Sequence, residues 1–304
     1  MLYQLSYPRI RSDSSRREIC RHLGAFVRVE TLPPMIKNVL RARRAFRNWL
    51  EICVVVGVAA PSGLPPRRGW PLLGQRRQQF VTRSGLALET EAGNSSPIIE
   101  VFAYGEYDLP LNWSELRRVI DVGAHVGSFV LWTCDRAPQA RIVAVEPEPH
   151  NFHDLVANVE RNGQTDRIDA VHAALGSDPG TVMLHVPMNR ESGSMFATDG
   201  DSIEATVITL PDLIARFEEP PDLLKIDCEG AEWQVLEGLE AASWAKIPRL
   251  IMECHATAGR TIEEMTNLLS RHGLSVTIRS RSPSGVPWCE EVAMIWAERE
   301  PISQ

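Results

Sequence analysis

Hydrophobic and polar residues follow two alternating periods along the chain, and these periods divide it into strands and helices. From residue 119 onward, short apolar runs typical of strands buried on both faces alternate with segments of helical spacing. The predicted strands are residues 119–122, 141–145, 168–173, 223–226, 249–252, 274–279 and 292–297. The predicted helices are residues 128–136, 149–162, 211–217 and 261–272, with another that ends near residue 239. This order predicts an α/β fold with a doubly wound, mostly parallel sheet.

Two regions interrupt or precede this alternation. Residues 181–186 and 205–209 have strand patterns, and a polar loop predicted at residues 188–204 separates them. Upstream, FVTRSGLALET and IIEVFAYGEYDL flank the turn-forming residues 93–97, which predicts a β-hairpin. We therefore expect residues 75–118 to be a β-hairpin lead-in and residues 119–304 to be the main domain.

The N-terminal quarter of the sequence has a different character. Residues 1–34 are rich in arginine and serine with little periodicity, so we expect a disordered extension and take Met35 as the native start over Met1. Residues 35–74 combine a basic amphipathic helix with a proline-rich linker. Their apolar part, residues 52–60, is about half as long as a membrane-spanning helix. Two interpretations of residues 35–60 remain open: peripheral contact with a membrane surface, or packing against the body of the protein.

Charge and cysteine usage narrow the class of protein. The 304 residues carry a net charge of −7, and residues 1–83 hold 16 Lys or Arg against four acidic residues. The remaining body is therefore strongly acidic, which argues against nucleic acid as its partner. The six cysteines have no metal-type spacing, which is typical of reduced thiols in a cytoplasmic protein. Oligomeric state is left open.

The stretch VIDVGAHVG at residues 119–127 carries the candidate chemistry. An apolar strand ends in Gly123, a helix begins after Gly127, and Glu146 ends the next strand 19 residues later. Such an acid accepts hydrogen bonds from ribose hydroxyls, which indicates a nucleoside cofactor. A dinucleotide fingerprint requires G-x-G-x-x-G, whereas His125 stands where that backbone would approach a pyrophosphate. D-x-G-x-x-x-G followed by Glu146 instead resembles the S-adenosyl-L-methionine site of the Rossmann-like methyltransferases, and this cofactor has no phosphate for the turn to approach.

Five sequence blocks follow one another in a characteristic order: VIDVGAHVG, VAVEPEPHNFHDLVANVERNG, ITLPDLI, LLKIDCEGAEWQVLEG and IMECH. With these blocks, residues 80–297 resemble the FkbM-like family of S-adenosylmethionine-dependent methyltransferases. KIDCEGAE at residues 225–232 is the most specific block. The resemblance implies a Rossmann-like class I methyltransferase fold whose seven-stranded sheet has an antiparallel last strand. It also implies O-methylation of hydroxyl groups on glycans and secondary metabolites. His125 departs from the asparagine that the family commonly has there.

The expected cofactor site combines the two strand ends with nearby loops. We expect Asp121, Gly123, His125 and Gly127 to hold the methionine part and Glu146 to bind the ribose. Small residues after the third strand are expected near the adenine, and a serine of the polar loop is expected to close over the cofactor. These last cofactor-binding candidates are Ala173, Ala174 and Ser194.

Acidic residues and a histidine follow the fourth and fifth strands of the core, where they are expected to face the acceptor hydroxyl. The catalytic candidates are Asp227, Glu229, Glu253 and His255. The same four residues provide oxygen and nitrogen ligands for a divalent metal, but no compact ligand motif is present and we expect none. Lys225 offers a further alternative, in which the acids serve only in charge pairing. The acceptor is expected to be a small molecule, a glycan or a lipid-linked hydroxyl compound. Two other functions stay open: a catalytically weak binding module and an NAD-dependent oxidoreductase.

Overall fold

The fold is described from a computed structural model, which covers residues 34–48, 77–91, 94–186, 201–228, 230–257, 259–279 and 292–299. Its strands are β1 (Arg77–Val81), β2 (Ala87–Glu91), β3 (Arg118–Val122), β4 (Arg141–Val145), β5 (Ile168–Val171), β6 (Ala174–Gly176), β7 (Gly180–Val186), β8 (Asp201–Thr209), β9 (Leu223–Ile226), β10 (Arg249–His255), β11 (Ser275–Arg279) and β12 (Val292–Glu298). Its helices are α1 (Pro34–Ala45), α2 (Ser96–Ile99), α3 (Ser128–Arg136), α4 (Pro149–Arg161), α5 (Leu210–Ile214), α6 (Glu232–Glu237), α7 (Ala241–Trp244) and α8 (Ile262–Arg271).

The centre of the fold is a seven-stranded sheet in the order β11-β12-β10-β9-β3-β4-β5. β12 runs antiparallel to both of its neighbours, whereas β10, β9, β3, β4 and β5 are mutually parallel. The strand order reverses between β9 and β3, at the middle of the sheet. Open α/β sheets bind ligands at such a point, beyond the carboxyl ends of the strands. The predicted fold class and the antiparallel last strand are confirmed.

Helices cover both faces of this sheet because successive strand residues point in opposite directions. On one face, Ile120 and Leu224 lie in a core shared with Trp233, Trp244 and the helices α5 to α8. On the other face, Val119 and Leu223 lie in a core with residues of α3 and α4. Parallel strands covered in this way are continuously apolar, which explains why the predicted core strands are close to the observed ones.

Local capping signals fix several helix ends near the site. Glu148 accepts a hydrogen bond from the backbone N–H of Asn151 at the start of α4, and Pro149 occupies its first turn. Thr209 with Asp212 and Thr261 with Glu264 form reciprocal capping boxes at α5 and α8. The helices thus begin where the sequence places cap residues.

A smaller three-stranded sheet lies between β5 and β9 in the chain. Its order is β6-β8-β7, with β8 parallel to β6 and antiparallel to β7. The predicted extra strands are therefore present, and β8 is longer than the pattern indicated. The polar loop at residues 188–204 falls mostly outside the described residues, which resume at residue 201.

The region before β3 differs from the prediction. The hairpin is formed by β1 and β2 around residues 82–86, not around residues 93–97. The second predicted strand is instead α2, which continues as a π-helical turn over Glu100–Tyr104. Its Ile98 and Val101 are buried, and Pro97 occupies the first helical turn. Helical spacing of the apolar residues therefore outweighs their β-rich composition, and the expected β-hairpin lead-in is corrected to a hairpin followed by a helix.

The described part of the N-terminal region packs against this hairpin. Ala42 of α1 and the following Phe46 are buried with Phe80 and Leu88, while Arg43, Arg44 and Arg47 are exposed. In residues 40–48, the most buried side chains are thus apolar and the exposed ones are arginines. Residues 1–33 and the predicted linker lie outside the described residues. Within the described residues, no helix is both long and apolar enough to cross a bilayer.

Candidate active site

A cavity of about 290 Å³ opens at the carboxyl ends of β3, β4 and β9. Of the residues predicted to bind a cofactor, its wall includes Gly123, His125, Glu146, Ala173 and Ala174. Asp227 and Glu253, from the predicted catalytic set, line the same cavity. Residues separated by more than a hundred positions in the sequence therefore meet at one site.

Glu146 is held at the end of β4 by backbone groups. Its Oε2 accepts a hydrogen bond from the N–H of His125 at 2.8 Å, and its Oε1 accepts one from the N–H of Glu148 at 2.9 Å. Burial nevertheless raises the pKa of Glu146 to about 7, because the two backbone bonds and the distant Lys225 only partly offset the cost of desolvation. The carboxyl group thus titrates near neutral pH.

His125 occupies a strained backbone position in the turn. Its φ of 51° is the one positive value among the described residues other than glycine. Its ring Nε2 lies 2.8 Å from Asn94 Oδ1, and the Asn94 amide donates to Asn151 Oδ1 at 2.7 Å. Because the Asn94 oxygen only accepts, Nε2 of His125 carries the proton. The histidine side chain is thereby tied to the segment before α2 and to α4.

The two glycines of the turn have different neighbours. Gly123 has a φ of 74°, and a Cβ atom there would lie 1.8 Å from the carbonyl oxygen of Asp227. Gly127 has a φ of 87°, and its Cβ would lie 2.9 Å from Leu155 Cδ1 of α4. Gly123 is therefore required for close approach at the cavity. Gly127 packs against α4 and is not among the residues that line the cavity, and its expected contact with a cofactor stays a prediction.

Asp121 lies beneath the cavity rather than in its wall. The residue is 0% exposed, and its Oδ1 lies 3.1 Å from Lys225 Nζ in an ion pair. Burial raises the pKa of Asp121, while Lys225 opposes that rise. The expected direct contact of this carboxylate with a cofactor ammonium is corrected, since the lysine lies beside it and the carboxylate has no exposed surface.

The acidic wall of the cavity is larger than the sequence indicated. Glu106 lines it, and burial, with Glu100 and Asp227 adding to the effect, raises its pKa to about 8. Beside it is Tyr107, whose buried hydroxyl has a pKa raised well above its ordinary value, chiefly by burial. Both residues follow α2 and were missed because this segment was predicted to be a strand. The helical spacing from Ile98 to Phe102 is the signal that identifies the segment.

Aromatic rings support this wall from behind. Tyr107 packs edge-on against Phe129 at 4.7 Å between ring centroids, and both face the cavity. Trp113 and Trp132 lie next to them, with their own centroids 4.6 Å apart. This cluster packs behind the part of the wall that carries Glu106 and Tyr107.

His255 has a more remote position than predicted. Its Nδ1 donates to Glu232 Oε1 at 3.3 Å, and its Nε2 lies 3.9 Å from Glu253 Oε1. Glu232 is fully buried and also accepts from the N–H groups of Cys228 and Gly230. The ring is thus oriented by a carboxylate that sequence analysis missed, and Glu253, rather than His255, is the residue of this pair that lines the cavity.

Two predicted site residues, Glu229 and Ser194, lie outside the described residues. Within the described part of the chain, no group of three or more His, Cys, Asp or Glu side chains is arranged to hold a metal ion. Cys134, Cys228 and Cys254, the described cysteines, are free thiols. The described site therefore consists of carboxylates, a buried lysine, a glycine turn and an aromatic wall.

Comparison with known proteins identifies proteins that are similar to this chain. A model of the methyltransferase FkbM domain matches residues 121–276. Methyltransferase sdnD of Sordaria araneosa is 27% identical over 235 residues, which cover 66% of this chain and 88% of the relative. The 31-O-demethyl-FK506 methyltransferase FkbM of Streptomyces tacrolimicus is 30% identical, with 52% of this chain and 72% of the relative covered.

Other matches extend this set. The hexuronic acid methyltransferase AglP of Haloferax volcanii is 29% identical over 220 residues, covering 64% of this chain and 89% of the relative. Among solved structures, methyltransferase FkbM of Methylobacillus flagellatus is 16% identical with a TM-score of 0.46, covering 86% of this chain and 58% of that one.

Proposed function

Because this chain belongs to the FkbM methyltransferase family, we propose that it transfers the methyl group of S-adenosyl-L-methionine to a hydroxyl group of a glycan or secondary metabolite. The observation that carries the proposal is that Glu146, the Gly123 turn and the acids Asp227 and Glu253 line one cavity. Relatives whose names specify O-methylation of FK506 and methylation of a hexuronic acid support the acceptor class.

The residues present fit this cofactor. Glu146 offers a buried carboxylate to two ribose hydroxyls, and Ala173 and Ala174 leave space for a flat ring beside it. Gly123 lines the cavity without a side chain and packs on the loop after β9, where a Cβ would collide with Asp227, so we expect its main chain to contact the methionine part. When bound, the cofactor supplies a methyl group already activated by its sulfonium sulfur. The protein then needs mainly to orient the acceptor and exclude water, for which proximity contributes up to ~7–11 kcal/mol.

Asp227 is the described acid best placed to take the acceptor's proton. Its side chain is 27% exposed and lines the cavity directly after β9. As the acceptor oxygen bonds to the methyl carbon and the carbon–sulfur bond breaks to leave S-adenosylhomocysteine, the hydroxyl proton would pass to this carboxylate, so that the product is a neutral ether. His255 is the alternative base, and it would act through Glu253, which lies between it and the cavity.

The proposal is tested by calorimetry with S-adenosylhomocysteine and, separately, with NAD. We expect the first to bind and the second not to bind measurably. Screening of glycan and metabolite fractions for transfer of a labelled methyl group then identifies the acceptor. Binding of NAD alone would favour an oxidoreductase, and failure to bind either ligand would favour a binding module without this chemistry.

The pH dependence of cofactor binding should report the ionisation of Glu146. Its pKa of about 7 means that the free protein holds a proton on this group at lower pH, and ribose recognition requires the carboxylate. We therefore expect the Kd for S-adenosylhomocysteine to rise by up to about tenfold for each pH unit below 7 and to level off above about pH 8. Calorimetry in buffers of different ionisation enthalpy measures the proton released.

Glu146→Gln serves as the matched control for this prediction. It should weaken binding by about tenfold at pH 8 and flatten the pH profile, because an amide accepts less strongly and does not titrate. Glu106 also lines the cavity and titrates nearby, with a pKa of about 8. A profile that keeps its full slope in Glu146→Gln would therefore assign the dependence to Glu106 and contradict the role of Glu146.

A further inference from the structure

Lys225 is a buried cation in the middle of the main sheet. It lies on β9, is 3% exposed and lines the floor of the cavity. Of the described residues that line the cavity, it is the one lysine or arginine, among six carboxylate residues. Lysine is almost never buried to this extent unless it is paired, so its surroundings require an explanation.

Three oxygens surround its ammonium group at hydrogen-bonding distance. Nζ donates to the carbonyl oxygens of Gly123 at 2.8 Å and Val122 at 3.2 Å, and Asp121 Oδ1 lies at 3.1 Å. Asp227 Oδ2 is further away, at 3.7 Å. An ammonium has three hydrogens, and three close acceptors already account for them. Lys225 is therefore suited to holding protein groups rather than to binding a ligand.

The three groups that it holds belong to β3 and the turn after it, whereas Lys225 itself lies on β9, so the ammonium group joins the two strands that flank the switch point. Asp121 of β3 is the direct register partner of Lys225 on β9. The N–H of Asp227 donates to Val122 O at 3.1 Å, and the Asp227 carbonyl lies against Gly123. The turn after β3 and the loop after β9 are thus packed together around one ammonium group.

The charges of this cluster favour an ionised lysine. Burial alone would lower the pKa of Lys225, but Asp121 and then Asp227 outweigh it, and the pKa is raised above its ordinary value. The ammonium therefore stays charged over the range in which the protein is studied, and its contacts with the turn persist.

We infer that Lys225 is a positioning residue for methyl transfer, which holds the Gly123 turn against the loop that carries Asp227. This inference rests on the proposed function. It assigns to the first residue of the KIDCEGAE block a role that is separate from contact with the cofactor or the acceptor. Loss of the lysine should loosen the turn and so weaken cofactor binding, even where the fold is kept.

The test compares variants that separate this role from stability. Lys225→Met alone leaves the buried Asp121 charge without compensation and is expected to unfold or nearly so. The double variant Asp121→Asn with Lys225→Met removes both charges and should fold. We expect its Kd for S-adenosylhomocysteine, measured by calorimetry, to be at least about tenfold higher than that of the wild type.

Two control variants separate the effect of the Lys225 contacts with the Gly123 turn from the effects of losing Asp121 or of lowering stability. Asp121→Asn alone keeps both carbonyl contacts of Lys225 and should bind within about threefold of the wild type. Arg118→Gln breaks the ion pairs of Arg118 with Glu219 and Asp222 at the opposite end of β3 and β9. It should lower the thermal midpoint without changing the Kd, because it does not touch the turn.

Different experimental outcomes would contradict the positioning role of Lys225 and the proposed function. A wild type that does not bind S-adenosylhomocysteine would overturn the proposed function. A folded double variant that binds as tightly as the wild type, or Asp121→Asn that binds as weakly as the double variant, would overturn the positioning role. If circular dichroism shows the double variant to be unfolded, Lys225→Gln on the Asp121→Asn background is judged by the same criterion.

Discussion

Gly123→Ala is expected to raise the Kd for S-adenosylhomocysteine by at least about a hundredfold and to cost ~2–4 kcal/mol of folding free energy. Two effects combine at this position. The φ of 74° is costly for any residue with a Cβ, and the added atom would lie 1.8 Å from the Asp227 carbonyl oxygen. The turn must therefore move away from the loop after β9, which distorts the cavity wall. Calorimetry and urea denaturation measure the two effects.

Gly163→Ala is the matched control for this substitution. Gly163 has a φ of 62° after α4, and a Cβ there meets nothing within 4 Å. The control should lose only about 1 kcal/mol of stability, the cost of a left-handed backbone, and should keep the affinity of the wild type. Equal effects of the two alanines would show that backbone strain, rather than close approach at the cavity, explains the result.

Asp227→Asn is expected to lower kcat for an acceptor found by labelled-methyl screening by about 10²–10⁴. The asparagine keeps the shape of the side chain but does not take up the hydroxyl proton. Because the Asp227 carboxylate is only a distant partner of Lys225, the Kd for S-adenosylhomocysteine should stay within about threefold of the wild type. Steady-state kinetics at saturating cofactor measure kcat, and calorimetry measures the Kd.

Two further variants locate the base. Asp222→Asn makes the same change just before the other end of β9 and should leave kcat unaltered, since Asp222 accepts from the backbone N–H groups of Arg117 and Arg118. His255→Ala tests the route through Glu253. If Asp227→Asn keeps normal turnover while His255→Ala loses it, the proton leaves by that route. Normal turnover in both variants would place the base outside these two strand ends.

The core of the fold was predictable because its strands are buried on both faces. Such strands appear as continuous apolar runs, and caps such as Pro149 and Thr261 mark the helices between them. The segment from Ile98 to Leu109 was not predicted correctly, because β-branched and aromatic residues dominate its composition. Helical spacing and Pro97 were the better guides there, and with them the sequence would have brought Glu106 near the site.

The residues of the site were predictable where their position at the end of a strand decides whether they line the cavity. Glu146 and Asp227 follow strands directly, and parallel strands carry such residues to one edge of the sheet. Which group the Asp121 carboxylate contacts depends instead on its register partner Lys225, which is 104 positions away in the sequence. No local pattern gives that pairing, so the acid was predicted to face a ligand when it faces a lysine. The same limit applies to His255, whose ring is fixed by Glu232.

The main chain, rather than the side chain, of residue 125 holds the carboxylate of Glu146 in place. Glu146 is fixed by the N–H groups of His125 and Glu148, so its orientation depends on the left-handed backbone at position 125. Asparagine and histidine both adopt that conformation more readily than most residues. Replacing His125 by asparagine should therefore leave the Glu146 carboxylate oriented as it is here.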